Sequence, residues 1–392
     1  MKNLRVKIIL PIVFLIISAV VISLVISDEK VITVSVTSKP VEILEPVIKT
    51  KVDTRNSISS YRGLGAWVDS FDADPNYLRG SSTALKPDAI EMSENKIRTL
   101  FLQGSRSEDR SNQLISDPWY LAKFLLNAHA NGLDVVAWYL PKWNEDGEDL
   151  KRLLALAEFE VLGHRFDGLA VDIEWNNDDL EHQERSSRLV ELSKSLRENL
   201  KDRVLGAIVM PPVVTDVINP DFWPSFPWEE LATVYDVWLP MNYWSFRTQE
   251  HADSNYYNSE NIKLLRKNLK NRDILVHPIG GVGLADGTAL PDPGEPLATI
   301  DDLDGFVSSL TVSDAIGGSI YDWATTGPVA RKQLAENFGN CAKDDTLRSK
   351  ILGKIGKYDM GELNNYLDAI KSEENYQDWK RTKESFEQMG DD

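Results

Sequence analysis

From Tyr61 onward, short apolar runs alternate with amphipathic stretches, a pattern that predicts β-strands separated by α-helices. The expected strands are 63–68, 97–102, 134–139, 168–175, 204–210, 235–242, 274–279 and 317–323. Apolar residues at helical spacing precede the fourth, fifth and seventh of them: Leu150, Leu153, Leu154, Ala157 and Val161; Leu189, Leu192, Leu196 and Leu200; Ile262, Leu265 and Leu269. Eight βα units in about 275 residues predict a (β/α)8 TIM barrel, an α/β fold with its active sites at the C-terminal ends of the strands.

The N-terminal segment differs from the rest of the chain. Residues 8–26 are apolar apart from two serines, carry no charge, and are numerous enough to cross a bilayer as one helix. Lys2, Arg5 and Lys7 precede this segment, and positive charge on that flank predicts a cytoplasmic N-terminus. Because no small-x-small cleavage site ends the apolar run, we expect an uncleaved transmembrane signal anchor rather than a signal peptide.

These patterns divide the chain into four parts. Residues 1–27 hold the cytoplasmic N-terminus and the anchor, and residues 28–60 form an extended linker without helical periodicity. The barrel is expected over 61–341 and a charged helical tail over 342–392. We therefore expect a single-pass protein of the cell membrane, with the membrane as a partner of its N-terminal helix and the barrel outside the cytoplasm.

The composition of the chain argues against several classes of partner and of chemical site. A formal charge of −18 and a pI of about 4.8 argue against nucleic acid as a partner. The single cysteine, Cys341, excludes an intrachain disulfide. The five histidines lack the paired spacing of a zinc site, and we expect His277 to be a hydrogen-bonded structural imidazole. Residues 280–283 lack the spacing of a nucleotide-binding loop, so neither a metal nor a cofactor is expected.

Two carboxylates stand at the end of the fourth expected strand. Side chains alternate between the two faces of a strand, so Leu169, Val171, Ile173 and Trp175 share one face, and Ala170, Asp172 and Glu174 share the other. In a parallel barrel the apolar row faces the helices, which leaves both acids on the inner face near the mouth. Such acids belong either to a structural ion-pair network or to an active site, because burying a carboxylate without a partner is costly.

Aromatic and polar residues are concentrated where the expected strands end. They are Trp67, Asp69, Tyr139, Trp175, Asn242, Tyr243, Trp244, Asp322 and Trp323. Sugar rings present an apolar C–H face that stacks on flat aromatic side chains, and their hydroxyls need carboxylates, amides and phenols as partners. This set predicts a carbohydrate-binding cleft. The alternative for its large aromatic residues is that they fill the space between strands and helices.

The run Phe166-Asp167-Gly168-Leu169-Ala170-Val171-Asp172-Ile173-Glu174 resembles the fourth-strand signature Asp-Gly-x-Asp-x-Asp-x-Glu of family 18 glycoside hydrolases, the chitinase-like barrels. Met241-Asn242-Tyr243, Pro278-Ile279-Gly280-Gly281 and Gly318-Ser319-Ile320-Tyr321-Asp322-Trp323 are similar to the family's sixth, seventh and eighth strands. The resemblance covers residues 61–338. It implies a barrel glycosidase in which Glu174 is the general acid, Asp172 assists it, and Trp323 floors the subsite where the bond is cut.

Two positions depart from the family pattern. Ala170 stands where the family has the first of its strand aspartates, and Trp244 stands where an aspartate usually follows the tyrosine. In that family the substrate's own acetamido group attacks the anomeric carbon with help from those acids. Their absence weakens the case for this route and for N-acetylglucosamine specificity. The family 25 lysozyme barrels are a neighbouring resemblance, because they also have Asp-x-Glu on a strand and a first-strand aspartate that Asp69 would match.

The expected function is that of a membrane-anchored, extracytoplasmic glycoside hydrolase-like protein. It would cleave or bind a polysaccharide of the cell envelope or the environment, with Glu174 as general acid. Two alternatives stand beside it. One is a carbohydrate-binding barrel without catalysis, for which Ala170 and Trp244 are the motive. The other is a structural envelope protein in which the anchor and the tail mediate assembly.

Overall fold

The computed structural model describes residues 57–74, 77, 88–108, 111, 113–144, 147–175, 180–282 and 298–338. The expected anchor at 8–26, the linker up to residue 56 and the tail at 342–392 lie outside the described residues. Among the helices of the described part, none has both the length and the apolar character needed to cross a bilayer.

Eight parallel strands close into a barrel. They are β1 Gly63–Val68, β2 Thr99–Gln103, β3 Asp134–Tyr139, β4 Gly168–Ile173, β5 Leu205–Val209, β6 Val237–Asn242, β7 in two segments, Leu275–Val276 and Ile279–Val282, and β8 Gly317–Tyr321. Each strand pairs in parallel with the next one, and β8 pairs with β1 to close the ring. The predicted α/β barrel is confirmed.

Helices pack against the outer face of the strands. They are α1 Ser70–Ala73, α2 Ala89–Glu94, α3 Pro118–Ala130, α4 Glu148–Glu158, α5 His182–Asn199, α6 Trp228–Leu231, α7 Ser254–Asn268, α8 Ile300–Val312 and α9 Pro328–Phe338. The predicted helices before β4, β5 and β7 are confirmed as α4, α5 and α7. Val161, expected in a helix, instead pairs with His164 in a short antiparallel hairpin. Positive φ at Leu162 and Gly163 forms its two-residue turn.

Alternation along the strands divides the buried side chains between two cores. On β4, Leu169, Val171 and Ile173 belong to the larger core between strands and helices. Ala170 belongs to the smaller core inside the barrel, so the predicted separation of the two faces of β4 is confirmed. The other buried members of the inner core are Tyr61, Trp67, Phe101, Val136, Trp138, Val204, Ile208, Val237, Leu239, Met241 and Ile279.

Tyr61 closes the N-terminal end of the barrel. It ends a short 3-10 helix, Ile58–Tyr61, and its hydroxyl donates to the carbonyl oxygen of Leu169 at 2.8 Å. Gly168 and Gly206 make room for it. A Cβ at these two positions would lie 2.8 Å from the Tyr61 hydroxyl oxygen and 2.9 Å from a ring carbon. With this end filled, substrate access is expected at the C-terminal ends of the strands.

The sequence pattern predicted β7 as one strand, but Pro278 interrupts it. Proline has no N–H to donate to the hydrogen bonds between strands. The adjacent His277 is fully buried and links three elements. Its Nδ1 donates to the carbonyl oxygen of Tyr61 at 2.8 Å, and its Nε2 accepts from the Ser319 hydroxyl at 3.1 Å. Burial lowers the pKa of His277 to about 4, so the imidazole is neutral. The expected structural histidine is confirmed.

Candidate active site

Asp172 and Glu174, hereafter the β4 acid pair, lie at the C-terminal end of β4. Asp172 is the penultimate residue of the strand and is 6% exposed, and Glu174 follows the last strand residue and is half-buried. Within the described part of the chain, neither carboxylate has an ion-pair partner, and the buried Oδ1 of Asp172 accepts no hydrogen bond. The acid pair is therefore not part of a structural salt-bridge network among these residues.

The environment of the acid pair favours protonated carboxyl groups. Burial, with the charge of Glu174 as the second cause, raises the pKa of Asp172 well above its usual range. Burial also raises the pKa of Glu174, while the ammonium group of Lys142 acts in the opposite direction. Two poorly solvated carboxyls this close to each other keep a proton at pH values where an isolated carboxyl has lost it. The site can therefore donate a proton to a bound molecule.

Tyr243 lies between acids contributed by two different strands. It follows β6 directly and is half-buried. Burial raises its pKa, and the charges of Glu174, Asp172 and Asp322, in that order, raise it further. The Tyr243 hydroxyl is consequently a neutral group that is able to donate or accept a hydrogen bond beside the acid pair.

Tyr321 brings a second phenol to the mouth at the end of β8. Its ring centroid lies 6.1 Å from that of Tyr243 and 6.4 Å from that of Trp67. Its hydroxyl donates to Oδ2 of Asp69 at 2.8 Å. From the end of β8, Asp322 and Trp323 were the predicted binding residues, and Tyr321 beside them is the one whose ring reaches the mouth. The signal in the sequence is alternation, because Ser319 and Tyr321 lie on the same face of β8.

Trp67 lies beneath the mouth and not on the surface of the cleft. It is 2% exposed and stacks on Phe101 with ring centroids 4.4 Å apart. Its indole N–H donates to the Ser319 hydroxyl oxygen at 2.7 Å. The ring centroids of Trp67 and Trp138 lie 5.8 Å apart in an edge-to-face arrangement, and the two tryptophans fill the barrel under the acid pair.

Three carboxylates gather on the opposite wall of the mouth. Oxygen atoms of Asp69, Asp72 and Asp322 lie within 4.8 Å of one another, close enough for a hard cation to share them. Backbone hydrogen bonds fix two of the three carboxylates. Asp69 Oδ1 accepts from the backbone N–H of Phe71 at 2.7 Å, and Asp322 Oδ1 accepts from that of Thr325 at 2.8 Å. Burial, followed by the charge of Asp69, raises the pKa of Asp322 to about 6.

Tyr139 and Asn242, two predicted binding residues, face the helices and not the cleft. Tyr139 belongs to the core between strands and helices, and the Asn242 amide donates to Oδ1 of Asn258 on α7 at 3.0 Å. Strand alternation is the reason. Trp138 and Met241, their neighbours in the chain, point into the barrel and take the inward positions.

Trp244 and Trp323 also lie outside the cleft. Trp244 is 1% exposed, and its ring centroid is 5.4 Å from that of Phe306 on α8. Trp323 is 3% exposed, with the guanidinium carbon of Arg331 on α9 3.7 Å from its ring centroid. β8 ends at Tyr321, and the following turn breaks the alternation that would have pointed Trp323 inward. The ring that β8 brings to the mouth is that of Tyr321.

Trp175, a predicted binding residue, lies at the rim with 38% of its surface exposed. It does not face the helices with Leu169, Val171 and Ile173, as strand alternation predicted, because β4 ends at Ile173. The ammonium nitrogen of Lys142 lies 2.8 Å from the centroid of the Trp175 ring. Burial lowers the pKa of Lys142, and the charge of Arg106 lowers it further. Sequence reasoning missed Lys142. It lies three residues beyond β3, the neighbour of β4 in the barrel, and that adjacency was the available signal.

Asp149 holds the loop between β3 and α4 against the end of β4. Its buried Oδ1 accepts from the Tyr139 hydroxyl at 2.5 Å and from the Lys142 backbone N–H at 3.1 Å. Its Oδ2 accepts from the Trp143 backbone N–H at 2.8 Å. The Trp143 indole N–H then donates to the carbonyl oxygen of Trp175 at 2.9 Å. The loop is thus fixed directly beside the acid pair.

Comparison with known proteins gives a structural likeness only. No protein-family description matches the chain, and no curated protein matches it. The catalytic domain of a hyperthermophilic chitinase from Pyrococcus furiosus superposes with a TM-score of 0.51 at 9% identity, over 72% of this chain and 97% of that one. The spore cortex-lytic enzyme SleL of Bacillus cereus superposes with a TM-score of 0.50 at 10% identity, over 71% and 74%.

The chain has the chitinase-like barrel fold. At this level of identity the fold is the shared property. In this chitinase-like barrel the β4 acid pair, Tyr243 and Tyr321 meet at the C-terminal mouth, with Trp175 on the rim. The remaining aromatic residues of the predicted set are packed into one of the two cores.

Proposed function

We propose that this chitinase-like barrel is a glycoside hydrolase and that Glu174 donates the proton to the leaving glycosidic oxygen. The β4 acid pair is the observation that supports this most directly. A general acid must remain protonated at the working pH and must face the substrate. Burial, which raises the pKa of Glu174, supports the first requirement, and the position at the barrel mouth supports the second.

The proposed reaction is the hydrolysis of a bond between an anomeric carbon and a bridging oxygen. Glu174 transfers its proton to the bridging oxygen, which leaves as a hydroxyl group. Water supplies a hydroxyl to the anomeric carbon, and its other proton restores the acid pair. Repulsion between the two carboxylates keeps a proton within the acid pair, and the buried Asp172 holds that proton when Glu174 is ionised. Tyr243 supplies a hydrogen-bonding hydroxyl next to both acids.

A polysaccharide of the cell envelope or the environment is the proposed substrate class. Trp175, Tyr243 and Tyr321 provide flat aromatic surfaces at the mouth, and sugar rings stack on such surfaces. The names of the two similar structures, a chitinase and a spore cortex-lytic enzyme, support a structural polysaccharide.

Turnover by the full-length protein tests this proposal. The protein is incubated with labelled chitin oligosaccharides and with glycan strands of peptidoglycan, and the release of new reducing ends is measured. The proposal predicts cleavage of at least one of these polymers. Binding of a polymer without any release of reducing ends contradicts it.

A barrel that binds glycans without cleaving them is the second candidate. Ala170 is fully buried in the inner core, and Trp244 faces α8, so neither position presents a carboxylate at the mouth. These are the two positions where the chitinase-like family has additional acids. Retention of glycan binding together with an absence of turnover would favour this candidate.

We propose that residues 8–26 anchor the protein in the cytoplasmic membrane, with the barrel on the outer side. The basic flank ahead of an uncharged apolar run supports this orientation. Protease added to intact spheroplasts is expected to digest the barrel and to spare a cytosolic control protein. Full protection of the barrel in cells whose periplasmic proteins are digested would contradict the orientation.

A further inference from the structure

We infer that the cleft binds an acidic sugar and that Lys142 holds its anionic group beside Glu174. This inference rests on the proposed function, because it names the substrate class of the same site. The resemblance to chitinase-like barrels offers no role for this lysine.

The position of Lys142 is fixed by its surroundings. Its backbone N–H donates to the buried carboxylate of Asp149, and the next residue, Trp143, is tied both to Asp149 and to Trp175. The ammonium nitrogen lies 2.8 Å from the centroid of the ring of Trp175, the residue that follows Glu174. A cation held in this way needs little reorganisation to bind a ligand.

Lys142 has no salt bridge with any residue of the described segments. The neighbouring cation, Arg106, has partners of its own. Arg106 pairs with Glu108, donates to Oε1 of Gln103 at 3.2 Å, and lies 4.0 Å from the centroid of the Phe71 ring. Burial therefore disfavours the charged form of Lys142, which has no salt bridge among the described residues to offset it, and repulsion by Arg106 adds to this cost.

Catalysis needs a protonated Glu174, and protonation removes one of the carboxylate charges that stabilise the Lys142 ammonium group, beside those of Glu108 and Asp149. When Glu174 is ionised, its charge attracts the ammonium group. When Glu174 is protonated, as a general acid must be, that attraction is lost. An anionic substituent on the bound sugar would then supply the missing charge, and it would also favour the proton on Glu174.

A lysine ammonium is a compact point charge, and it accepts a carboxylate in many orientations. The carboxylate of a uronic acid, or of a sugar with a lactyl ether, would pair with the Lys142 ammonium group while the sugar ring stacks on an aromatic side chain of the mouth. A neutral polymer such as chitin offers no such group. The shared chemistry is a carboxylate on the ring that is bound next to Glu174.

Matched pairs of glycans test the inference with full-length Glu174→Gln, which blocks turnover and keeps a neutral group beside Lys142. One pair is oligogalacturonate and its methyl ester. The other is peptide-free peptidoglycan strands and their carboxyl-reduced form. Dissociation constants are measured by titration calorimetry. We expect the acidic member of at least one pair to bind roughly tenfold more tightly than its neutral partner, and the pair identifies the source of the carboxylate.

Variants of Lys142 complete the test. Lys142→Met is expected to reduce the acidic-to-neutral preference to about one, and Lys142→Arg to restore part of it. Lys263→Met, which removes an exposed cation of α7 that pairs with Glu260, is the control and should leave the preference intact. Equal affinity for both members of each pair, or an equal loss for both in Lys142→Met, overturns this inference and leaves the proposed function standing. Absence of binding to every glycan overturns both.

Discussion

At the scale of single residues, the burial of Asp172 has the clearest energetic consequence. Its carboxyl group is almost fully buried, and its Oδ1 accepts no hydrogen bond from the described residues. Placing a carboxylate in such surroundings costs stability that the fold does not recover locally. Such a cost is expected where a site is built for chemistry, because a carboxyl group that must keep a proton at neutral pH is held in poorly solvated surroundings.

Asp172→Asn is predicted to stabilise the protein at neutral pH. The folded-state pKa of Asp172 is raised above the ordinary value of 3.8, so the folded protein binds this proton more tightly than the unfolded chain. The free energy of unfolding therefore falls as pH rises from 3.8 toward the folded-state pKa of Asp172, by up to about 1.4 kcal/mol per pH unit. Denaturant unfolding of both proteins measures the effect. The advantage of Asp172→Asn should vanish below about pH 4, and an advantage that grows as pH falls would contradict the prediction.

Trp323→Ala and Tyr321→Ala are predicted to have opposite effects. Trp323 is packed under Arg331 in the helix-facing core, so its truncation should cost roughly 3–5 kcal/mol of unfolding free energy and leave glycan affinity intact. Tyr321 lines the mouth, so its truncation should weaken glycan binding by about 0.5–1.5 kcal/mol. Unfolding and binding titrations on both variants separate the two roles. Loss of affinity in a folded Trp323→Ala protein would return that tryptophan to the cleft.

At the scale of structural elements, the loop between β3 and α4 determines the geometry of the acid pair. Asp149 collects three donors from this loop and from β3, and Trp143 connects the loop to the backbone that follows Glu174. Arg188 of α5 also donates to the carbonyl oxygen of Trp143 at 2.8 Å. Three elements therefore meet at one tryptophan, which acts as a positioning residue for the acid pair.

Trp143→Phe is predicted to lower kcat roughly tenfold with little change in KM. The variant keeps an aromatic ring but loses the N–H that binds the Trp175 carbonyl, so Glu174 is less well positioned for proton transfer. Steady-state kinetics on a cleaved glycan measures the effect. Trp119→Phe is the matched control, because the indole N–H of Trp119 donates to no partner in the described part of the protein. A Trp143→Phe protein with unchanged kcat would show that the loop is only structural.

The alternation of side chains between the two faces of a strand explains both the success and the errors of the sequence-based prediction of the site. Applied to β4, it placed Asp172 inside the barrel and Leu169 outside, as observed. Tyr139 and Asn242 were assigned to the cleft because they end their strands, although alternation points them toward the helices. For Trp323 the alternation itself fails, because it holds only as far as the strand extends. Where β8 ends is decided by tertiary contacts that the sequence does not display.

Contacts between distant loops were beyond the reach of the sequence pattern. The five histidines are scattered along the chain, yet Nδ1 of His129 and Nδ1 of His164 lie 2.7 Å apart. His129 Nε2 also lies 2.9 Å from Oδ2 of Asp167. The bonds of Asp149 around Lys142 are of the same kind. Such networks depend on how neighbouring βα units pack, and that information is absent from local periodicity.

At the scale of the whole molecule, eight strands could be predicted because every βα unit repeats the same apolar pattern. Their closure into a ring follows from that count. The ring is filled from below by Tyr61 and Trp67, which leaves the C-terminal mouth as the place where a polymer can approach the acid pair. The sequence was thus sufficient to predict the barrel fold and the end of the barrel that holds the site, but it predicted only some of the residues that line the cleft.

The turnover of Glu174→Gln on two kinds of substrate tests most directly whether Glu174 is the proton donor. Glutamine keeps the shape of the side chain but cannot donate this proton. Cleavage of a natural polymer should therefore fall by roughly 10²–10⁴-fold, while glycan affinity stays nearly unchanged.

The second substrate is a nitrophenyl glycoside of the same sugar, whose leaving group needs little protonation. Its cleavage by Glu174→Gln should be impaired far less than cleavage of the polymer. Polymer turnover by Glu174→Gln at the wild-type rate would contradict the assignment. An equal loss on both substrates would likewise show that Glu174 has a role other than protonating the leaving oxygen.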